Sequence, residues 1–100
     1  MKELDRINST DFKALLHQTL QVCFTPEVTL SAEVVEVSEL GGYTPLDRVP
    51  FSIVLRTVQK NEYYTQGTYT LVHPALKALP VFLVPLGADG GGMRYEAVFS

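Results

Sequence analysis

Residues 67–99 read GTYTLVHPALKALPVFLVPLGADGGGMRYEAVF, and this stretch decides the fold class. Apolar and polar side chains alternate at its two ends, which predicts half-buried β-strands over about 67–73 and 93–100. The apolar run between them predicts another strand over about 79–86. Prolines near both ends of that run favour a short strand or an edge position in the sheet.

The glycine-rich segment Gly87–Gly92 separates the last two predicted strands. It lacks the Gly-Lys-Ser/Thr ending of a phosphate-binding loop and leads into a strand rather than a helix. Asp89-Gly90 therefore predicts a hairpin turn with positive φ, and not a nucleotide site.

The chain begins with one helical segment. Phe12 and Leu15 share one face of a helix predicted over about 8–17. Asn8 is the expected N-cap of this helix, and Asp11, three residues on, is its capping-box partner.

Alternation also predicts three strands in the middle of the chain, over about 18–24, 28–37 and 51–57. The pair Val34-Val35 breaks the alternation of the second of these, which predicts a β-bulge or a bend there. Six strands at short spacing, with no helix between the later ones, predict a mainly β fold. We expect a compact six-stranded antiparallel barrel or sandwich with one short N-terminal α-helix. The expected core includes Phe51, Leu71 and Tyr95.

Length and composition narrow the class of protein. One hundred residues allow one domain, 1–100. Eight basic and eleven acidic residues give a formal charge of −3, which argues against a nucleic-acid or anionic-membrane partner. Val81–Leu86, the longest apolar stretch, is too short to cross a bilayer. A single cysteine, Cys23, and no signal peptide favour a cytoplasmic protein.

No set of residues has the spacing of a known catalytic or metal site. His73, before Pro74, is either a base or ligand, or a ring that hydrogen-bonds the backbone at a chain corner. We favour the second interpretation because no nucleophile stands at a recognisable spacing from it. Cys23, His17 and His73 match no recurrent ligand motif. We therefore expect no catalytic residue, no cofactor and no metal.

Glu33, Glu36 and Glu39 lie in a segment that contains no basic residue between Lys13 and Arg48. They predict a solvated strand face that aids solubility, a negative surface, or charges that protect an exposed strand edge. A pair of glycosidase carboxylates is a further reading of the same residues.

Tyr63-Tyr64 is the candidate contact surface. Adjacent side chains in an extended segment point in opposite directions, so at most one of the two easily enters the core. The other is an exposed aromatic of the type enriched at interfaces. Tyr43, in a glycine-proline loop, is a second candidate. Alternatively, Tyr63 and Tyr64 both cover the rim of the core with their hydroxyls in water.

Three segments also carry a resemblance: Gly67–Leu76 (GTYTLVHPAL), Phe82–Pro85 (FLVP) and Tyr95–Phe99 (YEAVF). They resemble a family of small bacterial β domains of unknown function, and the similarity extends from about Ile7 to Phe99. The resemblance implies a compact β domain with one N-terminal helix and no assigned catalytic residues. Members accompany genes for phage-tail-like or collar proteins of the microcystin-dependent type, which implies a role in such an assembly or its maturation.

Three functions follow from these observations. The leading hypothesis is a non-enzymatic structural or protein-interaction module that binds a protein partner or forms a homo-oligomer. The second is a β-barrel that binds a small ligand. The third is an enzyme that uses His73 with nearby carboxylates.

Overall fold

The computed structural model describes residues 9–39, 50–59 and 63–99. Its six strands form a closed antiparallel barrel in the order β1-β2-β3-β6-β5-β4. Of the two predicted architectures, barrel and sandwich, the barrel is confirmed. The elements in chain order are α1 (Ser9–Lys13), β1 (Thr19–Thr25), β2 (Val28–Glu39), β3 (Phe51–Arg56), β4 (Gly67–His73), β5 (Lys77–Asp89) and β6 (Gly92–Phe99).

The barrel interior is filled by the inward side chains of the strands, because alternate residues of each strand point inward. Phe51, Leu71 and Tyr95 are buried, so their predicted place in the core is confirmed. At one end of the barrel, Phe12 of α1 packs against Phe51 and Phe99, with ring centroids 6.0 and 5.5 Å away. The helix thus closes that end of the core.

The α1 helix ends at Lys13, four residues earlier than predicted. After it the backbone tightens, since the Leu15 and Leu16 amides bond to carbonyls three residues back. His17 then takes a φ of 68°, and its N–H donates to the Val34 carbonyl oxygen at 2.7 Å. This bond to β2 turns the chain into β1. Asn8, the predicted cap, lies outside the described residues.

The predicted bulge in β2 is confirmed. Val34 pairs with Leu55 and Glu36 pairs with Val54, so Val35 is the extra residue. The bulge shifts the alternation by one residue, which keeps apolar side chains inward on both sides of it.

The predicted short or edge position of the fifth strand is wrong. β5 has 13 residues and lies between two neighbours, pairing through Lys77–Leu83 with β4 and through Val84–Asp89 with β6. Each half of β5 is therefore hydrogen-bonded to one neighbouring strand. Pro80 lies in the half that pairs with β4, and Pro85 lies next to the irregularity in the β6 ladder. A proline is tolerated in such positions because one lost N–H need not remove a ladder bond.

The predicted hairpin turn after the fifth strand is confirmed, but the positive φ predicted at Asp89-Gly90 does not occur there. The strand continues through Asp89, the turn is Gly90–Gly91, and positive φ occurs at Gly87 (121°) and Gly92 (146°). Gly87 follows the bulge in β5. At Gly92, a Cβ atom would lie 1.7 Å from the Thr57 carbonyl oxygen. Gly87 is therefore needed for the backbone conformation of β5 after its bulge, and Gly92 for the close approach of β6 to Thr57.

Among the described residues, no helix is long and apolar enough to cross a membrane.

Candidate functional site

The two adjacent tyrosines point in opposite directions. Tyr64 is half-buried and stacks on Phe24, with ring centroids 4.5 Å apart and planes 10° from parallel. Tyr63 is 59% exposed. Tyr43, the other predicted contact residue, lies outside the described residues. The structure thus leaves Tyr63 as the accessible aromatic, and its role in contacts stays a prediction.

A buried polar chain holds the tyrosine segment in place. The Tyr64 N–H donates to the Tyr95 hydroxyl at 3.0 Å, and that hydroxyl donates to Gln59 Oε1 at 2.7 Å. The Thr57 hydroxyl donates to the same Gln59 oxygen at 2.9 Å. Thr57, Gln59 and Tyr95 are all buried. Thr57 and Gln59 follow β3, whose first residue Phe51 packs against α1, so this polar chain fixes the backbone beside Tyr63 at the end of β3 away from α1.

Tyr63 borders an open groove of about 420 Å³, lined also by Pro85, Leu86, Gly87, Ala88 and Met93. Leu86 is an exposed large apolar residue in this lining. The phenol of Tyr63 is the one titratable side chain among these lining residues. The groove therefore offers apolar contact and a hydroxyl, and no acid–base pair.

A second apolar surface lies on the outside of β5. The inward side chains of this strand, Leu79, Val81 and Leu83, are buried, and Phe82 between them is 53% exposed. Val98 of β6 and Val72 of β4, on the two neighbouring strands, are also exposed. We call this surface the β5 face, and it consists of Val72, Ala78, Pro80, Phe82, Val84 and Val98.

Sequence reasoning missed the β5 face, although a signal for it was present. From Ala78 to Ala88 the sequence ALPVFLVPLGA contains no charged or hydrogen-bonding side chain. A strand that is apolar at both parities is typical of one that is covered on both faces. The barrel core covers the inner face of β5, and the outer face is open to solvent over Phe82.

His73 holds the corner between β4 and β5. Its Nδ1 accepts the Ala75 N–H at 3.0 Å, and its carbonyl oxygen accepts the Leu76 N–H at 3.0 Å. Pro74 follows at the turn position where its fixed φ is favoured. Lys77, with a φ of 61°, then returns the chain to β5. This is the backbone contact that the second interpretation of His73 predicts.

The other candidate ligands are dispersed. Across residues 9–39, 50–59 and 63–99, no three His, Cys, Asp or Glu side chains group as a metal site. The Cys23 sulfur, half-buried, accepts a hydrogen bond from the Thr29 hydroxyl at 3.5 Å. Asp11 lies in the first turn of α1.

The interpretation of the β2 acids as protection for a strand edge is wrong, because β2 pairs with β1 on one side and β3 on the other. Glu33 instead lies 3.2 Å from Arg56 Nη2 and 3.5 Å from His17 Nδ1. Glu36 accepts a hydrogen bond from the Ser38 hydroxyl at 3.0 Å. These acids are engaged on a solvated face.

Glu39 ties the helix to the barrel. Its Oε2 accepts the Ser9 hydroxyl at 2.7 Å and lies 3.5 Å from Lys13 Nζ. The Ser9 hydrogen bond, and secondly the positive charge of Lys13, hold the pKa of Glu39 below its ordinary value. Glu39 therefore acts as the outer attachment of α1, while Phe12 is the inner one.

The barrel interior is occupied by the protein's own side chains. The largest fully buried residues are Tyr95, Phe12 and Phe51, and the other buried apolar residues pack with them in one cluster. Small barrels are commonly filled in this way. A ligand site inside the barrel, as the second hypothesis requires, finds no support in this packing.

Fold and surface together define a small closed six-stranded antiparallel barrel, plugged by a short helix and carrying exposed apolar surfaces. The chain belongs to the family described as domain of unknown function DUF6916, which matches residues 7–99. The expected membership in a family of unknown function is thereby confirmed. Searches of curated proteins and of solved structures gave no significant match. The association with phage-tail-like proteins stays a prediction.

Proposed function

We propose that this chain is a non-enzymatic protein-interaction module of a bacterial phage-tail-like assembly. The observation that carries the proposal is the β5 face, an apolar outer surface on a barrel whose interior is already filled. Exposed apolar patches of a few hundred Å² on small domains are often functional surfaces.

The positions of the polar side chains support a non-enzymatic role. His73 is bonded within its own turn, and Glu33 and Glu39 have cationic or hydroxyl partners. A site of nucleophilic catalysis needs a nucleophile and a base within reach of each other, and a group that orients the base. His73, Glu33 and Glu39 instead make contacts that stabilise a turn or join two elements of the fold.

The assembly context rests on the resemblance of segments such as Gly67–Leu76 to domains that accompany tail-like and collar proteins. A module of that kind would be made in the cytoplasm and either become part of the particle or assist its maturation. The closed and plugged barrel supports such a role, because it provides a rigid body with its binding surface outside.

The test is purification of the tagged chain from its native host, followed by intact-complex mass measurement and identification of the bound chains. We expect a tail-like structural protein in defined stoichiometry, and its loss with Phe82→Asp. Ser31→Asp, at an exposed position on β2, is the matched control and should retain the partner. Equal retention by both variants, or a chain that carries no tail-like protein, would overturn the proposal.

A further inference from the structure

We propose that the β5 face is a two-fold interface through which two copies of this chain associate. This rests on the proposed function, because it takes the β5 face as a protein-binding surface, and the pair of copies formed through that face would be the unit that joins the assembly. The two copies would pack β5 and β6 of one barrel against β6 and β5 of the other, face to face.

The area of the β5 face fits one side of a small interface. A phenylalanine ring offers about 150–250 Å², so half-exposed Phe82 contributes about 100 Å². With Val98, Val72 and the smaller outward residues of β5, the apolar area reaches roughly 300 Å². Interfaces at the low end of specific association bury about 600 Å² per partner, a little over half of it apolar. The β5 face supplies about that amount, which predicts a weak, concentration-dependent dimer.

The register makes the face complementary to itself. Val84 pairs with Glu96, and the exposed residues Phe82 and Val98 each lie two residues beyond this pair, on the outer side of their strands. A two-fold axis parallel to the strands places β5 of one copy over β6 of the other. Phe82 of each copy then meets Val98 of the second copy, as an isologous interface requires.

The charges beside the face are also self-complementary. Arg94 is exposed and Glu96 half-buried on the outer side of β6, and no ion pair joins either of them to another described residue. The same axis places Arg94 over Gly87 of the second copy, where a Cβ atom would have no neighbour within 4 Å. Glu96 of the second copy lies next to that position, because Gly87 pairs with Arg94 and Val84 with Glu96. Two symmetric Arg94–Glu96 pairs therefore flank the apolar contact.

The first test is sedimentation equilibrium of the full chain from about 1 µM to about 1 mM. We expect a monomer–dimer equilibrium, with the dissociation constant raised at least tenfold by Phe82→Asp or Val98→Asp and unchanged by Ser31→Asp. Circular dichroism of each variant is the control that it is folded. A wild-type chain that stays monomeric at every concentration refutes the dimer, and a dimer unaffected by both face variants refutes this surface.

The second test uses charge reversal. Arg94→Glu alone and Glu96→Arg alone each place like charges across the axis, so each should dimerise about tenfold more weakly. A mixture of the two variants should form the heterodimer, because every pair across the axis is then opposite in sign. Native mass spectrometry with one chain isotopically labelled measures this directly. Absence of heterodimer enrichment contradicts the two-fold arrangement.

The outcomes separate the dimer from the broader proposal. If the wild-type chain is monomeric but loses an identified tail-like partner with Phe82→Asp, the face binds that protein instead and the proposed function stands. If the chain dimerises through the face and binds no tail-like protein, the dimer stands and the assembly role fails.

Discussion

Gly92 is the position at which a single methyl group should do the most damage to this fold. An alanine there places its Cβ 1.7 Å from the Thr57 carbonyl oxygen, whereas such contacts in proteins stay beyond 3.0 Å. Its φ of 146° is also one that side chains rarely adopt. Gly92→Ala must therefore push β6 away from Thr57. The hydrogen bond from the Thr57 N–H to the Met93 carbonyl oxygen, 2.9 Å between nitrogen and oxygen, lies beside this contact and would be disturbed.

Two other glycines separate the contributions to the loss of stability that we expect for Gly92→Ala. Gly87 has a positive φ of 121° but no atom within 4 Å of an added Cβ, so Gly87→Ala measures the backbone strain alone, about 1–3 kcal/mol. Gly90 has open space and no positive φ, so Gly90→Ala should change stability by no more than about 1 kcal/mol. Gly92→Ala adds overpacking of about 1–3 kcal/mol to the strain, a total of about 2–6 kcal/mol.

The assay is urea unfolding followed by circular dichroism, with the midpoint and the slope fitted for each variant. The expected order of destabilisation is Gly92→Ala, then Gly87→Ala, then Gly90→Ala. Domains of this size are stable by only about 5–15 kcal/mol, so Gly92→Ala removes a large share of the total. Equal midpoints for Gly92→Ala and Gly90→Ala would refute the close approach of β6 to Thr57.

Three further predictions concern the core, the buried polar chain and the helix attachment. Leu71→Ala should lower the free energy of unfolding by about 2–5 kcal/mol, measured in urea, and a loss under about 1 kcal/mol would contradict its central position. Tyr95→Phe removes the hydroxyl that accepts the Tyr64 N–H, so we expect a loss of about 1–3 kcal/mol and faster hydrogen exchange at that amide. The lowered pKa of Glu39 means that its stabilising effect is complete above the unfolded value near 4.5 and is lost as the pH falls through the lower folded value. Ser9→Ala should weaken this pH dependence in thermal melts, and an unchanged pH profile would show that the Ser9 contact contributes nothing.

The strands could be predicted from sequence because alternation is a local signal. The bulge at Val35 is an example, since two adjacent valines at the point of phase change reveal it without any knowledge of β3. Tyr63 and Tyr64 likewise point in opposite directions for a reason contained in the dipeptide.

The features that sequence reasoning missed depend on distant residues. Gly92 is required because the Thr57 carbonyl group, 35 positions earlier in the chain, leaves no room for a side chain. The residues next to Gly92 in the sequence give no sign of this contact. The length of β5 depends on β6, whose pairing extends the strand through residues that resemble a loop. The hydrogen bond from His17 to Val34, which turns the chain into β1 after α1, joins residues that are far apart in the sequence. The β5 face was missed for another reason, because alternation identifies the inner side of a strand and leaves the outer side unexamined.

The exchange of partners along β5 has a consequence for how the barrel forms. β4, β5 and β6 are consecutive in the chain and pair in two hairpins, so their contacts close short loops. The ladders that complete the ring join distant residues, such as Val22 with Leu71 and Phe51 with Phe99. Local pairings have a lower entropic cost of closure and form sooner. We therefore expect the strands joined by hairpins, β1 with β2 and β4 with β5 and β6, to pair first, and the β1–β4 and β3–β6 ladders to close the barrel afterwards.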